Sequence, residues 1–189
     1  VSDMACIFDY CVSLEDISAL KNWDLSSAFN ITAMFRGCES LKSISALKNW
    51  DLSGMSNNSS LLSLFTDCTS LKDISALKNW DLSNITRISR LFDGCSSITN
   101  ISALKKWDVS NVTRMNDMFG ASNFNKDISK WKINPNCDVE SIFDKCNITF
   151  DQKHSFMSTD KGLKEITVKD STLEFKDANE KFVLFTGWD

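Results

Sequence analysis

Several things are scarce in this chain, and each scarcity narrows what it can be. There is one histidine, His154, in 189 residues, so no imidazole is at hand for a serine or cysteine nucleophile over most of the length. No phosphate-binding glycine loop, HExxH, GxSxG or EF-hand loop occurs. There is no CxxC pair, which leaves a zinc reading weak. Basic charge is not in excess: the net charge is −4, against the basic stripe of a nucleic-acid binder. No run of 18 apolar residues exists to span a membrane. The chain opens at Val1 with neither an initiator methionine nor a signal-peptide pattern, which reads as a mature or excised fragment. A hydrophobic content of 42% with 24% charged residues is that of an ordinary globular protein.

What the chain has in abundance is itself. ISALKNWDLS stands at Ile17–Ser26, Ile44–Ser53 and Ile74–Ser83, returns as ISALKKWDVS at Ile101–Ser110, and survives in worn form as DISKWKI at Asp127–Ile133. Trp23, Trp50, Trp80, Trp107 and Trp131 are 27, 30, 27 and 24 residues apart. Phe8, Phe35, Phe65, Phe92, Phe119 and Phe143 keep the same beat. A fixed period of this size marks a stacked repeat architecture, in which one copy cannot bury its apolar face alone.

Within a copy the second half carries Ile88, Leu91, Phe92 and Cys95 at i, i+3, i+4 and i+7, the spacing of one helical face. Ser59, Thr86 and Thr113 stand where they would cap such helices, and Gly37, Gly94 and Gly120 where they would close them. The first half, with Leu71, Ile74, Leu77, Trp80 and Leu82, approaches the L-x-x-L-x-L pattern of leucine-rich repeats, and its Trp-Asp-Leu end predicts a short strand. The expected fold is therefore an α/β repeat solenoid, leucine-rich-repeat-like. It has five full copies plus a partial N-terminal one, each a short strand and a short helix, with a small β-rich C-terminal cap. Residues 1–14 form the partial repeat or cap and 15–148 the solenoid. Residues 149–189 hold three alternating runs around Ile166, Leu173 and Val183, which read as strands of a cap or of a following module.

The seven cysteines do not read as a disulfide framework. Cys11, Cys38, Cys68, Cys95 and Cys146 each follow the repeat phenylalanine by three residues, and Ser122 takes that place in the fourth full copy. A column of small buried thiols, packing as apolar groups, is the expected role. Cys6 and Cys137 lie off the column and stay open as a bridge or as free thiols.

The candidate binding face is a pair of polar rows. Lys21, Lys48, Lys78 and Lys105 make one, and Asp24, Asp51, Asp81 and Asp108, each followed two residues on by serine, make the other. One reading is a solvated surface in which the lysines pair with the aspartates, and Asp and Ser fold their own turns. The other is a recognition stripe for an acidic partner or glycan. A calcium ladder lacks the glycine-rich loops it needs. Asn84-Ile85-Thr86, Asn111-Val112-Thr113 and Asn147-Ile148-Thr149 match the glycosylation pattern but recur with the repeat, as turn chemistry does. Phe29, Met55 and the insertion around Asn57–Ser60 depart from the repeat average in neighbouring copies, which favours binding over a bland stalk. An enzyme housed near the C-terminus would need His154 in a cleft; none is expected, nor is a cofactor or a metal.

Trp107–Trp131, WDVSNVTRMNDMFGASNFNKDISKW, resembles the BspA-like surface-protein repeat. Trp107, Asp108, Ser110, Asn111, Val112, Thr113, Met115, Met118, Phe119, Phe124, Asn125, Asp127, Ile128 and Trp131 fit its W-D-x-S-N-V-T-x-M-x-x-M-F…F-N-x-D-I-S-x-W form. Copies one, two and five depart from it in the S-N-V-T segment. The resemblance implies a secreted, lipid-anchored or wall-anchored protein. It would use a leucine-rich-repeat-like solenoid for adhesion to a host-cell, matrix or microbial surface protein or glycan, without catalytic residues.

Overall fold

Hydrogen bonding between copies, not within helices, organises the chain. The computed structural model describes residues 3–25, 27–55, 59–123, 131, 133–134, 136–142 and 145–146, and the backbone of 165–169, 172–176 and 182–185. Phe124, Asn125, Asp127, Phe143, Asn147, His154 and Ser26 lie outside the described residues.

The expected helix-and-strand solenoid does not form. Among the described residues there is no α-helix; the stack holds four 3-10 helices and two very short strands. The failure is local and repeats in every copy. Two residues flank each phenylalanine at positions −2 and +2 with positive φ: Cys6 and Tyr10, Ala33 and Gly37, Ser63 and Asp67, Arg90 and Gly94, Asp117 and Ala121, Ser141 and Lys145. Two left-handed residues four apart cannot belong to a right-handed helix. The backbone instead folds as overlapping turns in which alternate N–H groups do different work. Met34, Arg36 and Cys38 donate to the carbonyls three residues back, whereas Ala33, Phe35 and Gly37 donate to Leu62, Leu64 and Thr66 of the next copy at 2.9, 3.1 and 2.8 Å. Ser63, Phe65 and Asp67 repeat this toward Ser89, Leu91 and Asp93. The capping reading goes with the helices: Ser59 lies in strand β1 (Ser59–Ser60) and Thr86 in β2 (Ile85–Arg87), while the Thr113 hydroxyl donates to the Thr86 carbonyl.

The other half of each copy is a 3-10 helix: η1 (Ser18–Asn22), η2 (Ser45–Asn49), η3 (Ser75–Asn79) and η4 (Ser102–Lys106). Three residues per turn eclipses side chains at i and i+3, which explains the three-residue spacing of Ile74, Leu77 and Trp80, all buried. Each helix is entered through a side-chain turn, with Asp16, Ser43, Asp73 or Asn100 accepting the N–H two residues on. The predicted Trp-Asp-Leu strands are absent from the described residues. Parallel pairing falls instead on β1 with β2 and on single bridges such as Arg87 with Arg114 and Arg114 with Asp138.

Successive copies, here called coils, align their side chains in columns. The rings of Phe8, Phe35, Phe65, Phe92 and Phe119 stack with centroids 5.5–5.9 Å apart and planes within 13°. Phe35, Phe65, Phe92 and Phe119 are buried, as are Ile88, Leu91 and Cys95 of the face read as helical. Further on, β3 (Glu165–Lys169), β4 (Thr172–Lys176) and β5 (Phe182–Phe185) form an antiparallel sheet in that order, on the three alternating runs expected to be strands.

Candidate functional site

The lysine row is built by the 3-10 helices. Lys21, Lys48, Lys78 and Lys105 each occupy the last turn of their helix, where a cation meets the negative end of the peptide dipoles. The helices pack one against the next, η1 on η2, η2 on η3 and η3 on η4, so the lysines follow one another along one side, and all four are exposed. Indole hydrogen bonds hold this spacing. Trp50 Nε1 donates to the Leu20 carbonyl at 3.1 Å, Trp80 to Leu47 at 3.1 Å, Trp107 to Leu77 at 2.9 Å and Trp131 to Leu104 at 2.9 Å. Every acceptor belongs to the helix of the preceding coil. No sequence signal pointed to these bonds, because a backbone carbonyl has no residue type.

The aspartate row does not pair with the lysines. Among the described residues none of the four lysines lies within ion-pair distance of a carboxylate; the ion pairs are Arg36–Asp9, Lys42–Glu15 and Arg90–Asp93. Asp51, Asp81 and Asp108 turn inward to their own backbone and accept the N–H of Ser53, Ser83 and Ser110 at 2.9, 2.9 and 3.0 Å. That N–H, with a further bond from the Ser53 side chain, holds the Asp51 carboxyl below its ordinary range, opposed by slight desolvation and by nearby Asp24. This is the turn chemistry expected of Asp-x-Ser. Asn84 and Asn111 likewise serve structure, their amides donating to the Ser53 and Ser83 carbonyls of the previous coil.

Beside Lys21 runs an open, largely polar groove of about 330 Å³, lined by Glu15, Asp16, Ser18, Ser43 and Ser45 among others. Of the departures expected to mark a binding face, Phe29 is 52% exposed, but Met55 is buried and Asn57 lies outside the described residues.

The five thiols read as one buried column divide by exposure. Cys38, Cys68, Cys95 and Cys146 are buried and unbridged, and their thiols donate to the carbonyls of Phe8, Phe35, Phe65 and Phe119 in the preceding coil. Burial pushes the Cys38 thiol up to about 12 and raises Cys68 and Cys95 as well. Cys11, on the first coil, is exposed. Cys6 and Cys137 do not form a bridge; both are free, and burial pushes the Cys137 thiol up to about 12. Among the described residues no cluster of His, Cys, Asp or Glu could hold a metal ion, and no helix is long and apolar enough to cross a membrane.

Columns of Phe, Trp and Cys in register along the described residues define a repeat protein. The chain belongs to the family described as "Mycoplasma protein of unknown function, DUF285", whose model matches residues 1–71 and 59–182. No curated protein and no solved structure matches it.

Proposed function

We propose that this chain is a non-enzymatic interaction module displayed at a cell surface or secreted. It would bind a host-cell, matrix or microbial surface protein or glycan through the lysine side of the stack. The observation that carries the reading is the row of four exposed lysines on successive 3-10 helices, without carboxylate partners among the described residues. A row of exposed like charges is suited to an acidic ligand with a matching repeat. The BspA-like form of the Trp107–Trp131 segment supports surface display and adhesion.

The test is a binding screen of the 189-residue chain against matrix proteins, host-cell surfaces and a glycan array, with Lys48→Glu/Lys78→Glu as control. Saturable binding lost in the control and weakened by salt supports the proposal. Binding indifferent to both moves the face elsewhere. A well-folded chain that binds nothing favours the second reading, a spacer presenting another domain, which the evenness of the coil-to-coil bonding supports.

A further inference from the structure

One column of the stack changes its chemistry partway along. In successive coils it is held by Asp3, Asn30, Ser60, Arg87, Arg114 and Asp138, which parallel bridges place side by side. In four of these coils the side chain is a short oxygen acceptor that closes its own turn. Asp3, Asn30, Ser60 and Asp138 accept the N–H groups of Ala5, Thr32, Leu62 and Glu140, two residues on, at 3.0, 3.1, 3.0 and 3.1 Å. A guanidinium only donates, so Arg87 and Arg114 cannot do this. The N–H groups of Ser89 and Asn116, which hold the corresponding donor positions, have no acceptor among the described residues.

The two arginines are also adjacent and unpaired. Arg114 donates its N–H to the Thr86 carbonyl at 3.2 Å, and its own carbonyl accepts from Ile88 at 2.9 Å, which sets Arg87 opposite Arg114 in a parallel bridge. Partners in a parallel pair lie about 4.8 Å apart and project from the same side of the ladder. Both side chains are exposed, and neither forms an ion pair or side-chain hydrogen bond among the described residues. The next residue of the column, Asp138, turns its carboxylate to the Glu140 N–H. Arg90, by contrast, is held by Asp93. Like charges opposed across a ladder disfavour the pairing. These two coils thus give up a turn bond and take on repulsion, and no contact within the described stack offsets either.

We infer that Arg87 and Arg114 form a binding site for a phosphate monoester carried by a partner molecule. A phosphate offers oxygens to both guanidiniums at once, in the bidentate geometry that arginine favours. It also offers an oxygen to the N–H groups left open where the turn acceptor is missing. Its charge of about −1.5 to −2 matches two unpaired cations; a sulfate ester, with a single negative charge, matches only one. The site uses none of the lysine row and does not depend on the function proposed for that row.

The test is a titration of the isotope-labelled 189-residue chain with phenyl phosphate, followed by amide NMR, with phenyl sulfate as the comparison. Saturable shifts are expected at the Ser89 and Asn116 amides, with a dissociation constant on the order of 1 mM. Affinity should fall about tenfold or more in Arg87→Gln/Arg114→Gln and stay unchanged in Lys48→Glu/Lys78→Glu. Arg87→Asn separates binding from stability. It restores the oxygen that Asn30 supplies in its own coil, so it should weaken binding while leaving the thermal midpoint unchanged or higher. No shift at either amide up to about 20 mM phenyl phosphate, shifts that survive the double arginine substitution, or phenyl sulfate bound as tightly, each overturns the inference. So does a lowered midpoint in Arg87→Asn, which would give the arginine a structural role instead.

Discussion

Trp80 Nε1 lies 3.1 Å from the Leu47 carbonyl, 33 residues earlier in the chain, and both residues are buried. One indole thus fixes the height of one 3-10 helix over the next, and the bond recurs at each tryptophan that has a coil before it.

Trp80→Phe keeps an aromatic ring but leaves that carbonyl without its donor inside the core. A loss of about 1–3 kcal/mol is expected in urea unfolding. Trp23→Phe, at an exposed ring, is expected to stay within about 0.5 kcal/mol of the parent. Equal effects at the two positions would show that ring packing, not the hydrogen bond, matters.

The phenylalanine column should be weakest where it is cut in the middle. Phe65 is fully buried with rings 5.8 and 5.9 Å away on its two sides, so Phe65→Ala is expected to cost about 3–5 kcal/mol. Phe8 has the Phe35 ring on one side only and is half-buried; Phe8→Ala should cost clearly less in the same assay.

Gly94 has φ +73°, and a Cβ there would collide with the Asp67 carboxylate. Gly94→Ala should therefore destabilise by about 1–2 kcal/mol from the backbone alone. Ala121, exposed and at φ +47° in the matching place of the next coil, predicts the reverse: Ala121→Gly should be neutral or stabilising. Thermal melts should show a lowered midpoint for Gly94→Ala and an unchanged or raised one for Ala121→Gly.

The cysteines should divide by burial. In the native protein an alkylating reagent is expected to modify Cys6 and Cys11, both exposed, and to reach Cys38, Cys68, Cys95 and Cys146 only after unfolding. The raised folded-state values of Cys38, Cys68 and Cys95 also set a pH dependence. The unfolded thiols ionise first, so the stability these groups contribute is whole below their ordinary value. It falls as pH climbs from about 9 toward 12. Denaturant midpoints across that range, with Cys68→Ala as comparison, would check it.

The period, the columns and the buried face were all legible, because each depends only on where Phe, Trp and Cys recur. The local backbone was not. Ile88, Leu91, Phe92 and Cys95 have helical spacing and are buried together, yet a ribbon of turns brings the same four residues to one side. Arg90, Ser63 and Ala33 adopt positive φ without the glycine or asparagine that would have signalled it. Gly120, read as a helix stop, sits one place early, and Ala121 carries the left-handed conformation instead. In the candidate face the lysines were found by their recurrence. That no carboxylate pairs with them among the described residues was not legible, because Asp51 and Asp81 satisfy themselves two residues away rather than across the surface.

The bonds from coil to coil also decide how the molecule would bear load. Among the described residues they join each coil only to its neighbours, so a pull applied along the stack meets the interfaces in series, one after another. Failure of one interface releases a coil of about 27 residues, or roughly 90 Å of slack at full extension, while the remaining coils hold. Under tension such a chain would lengthen in steps and absorb work at each one, behaving as an extensible tether.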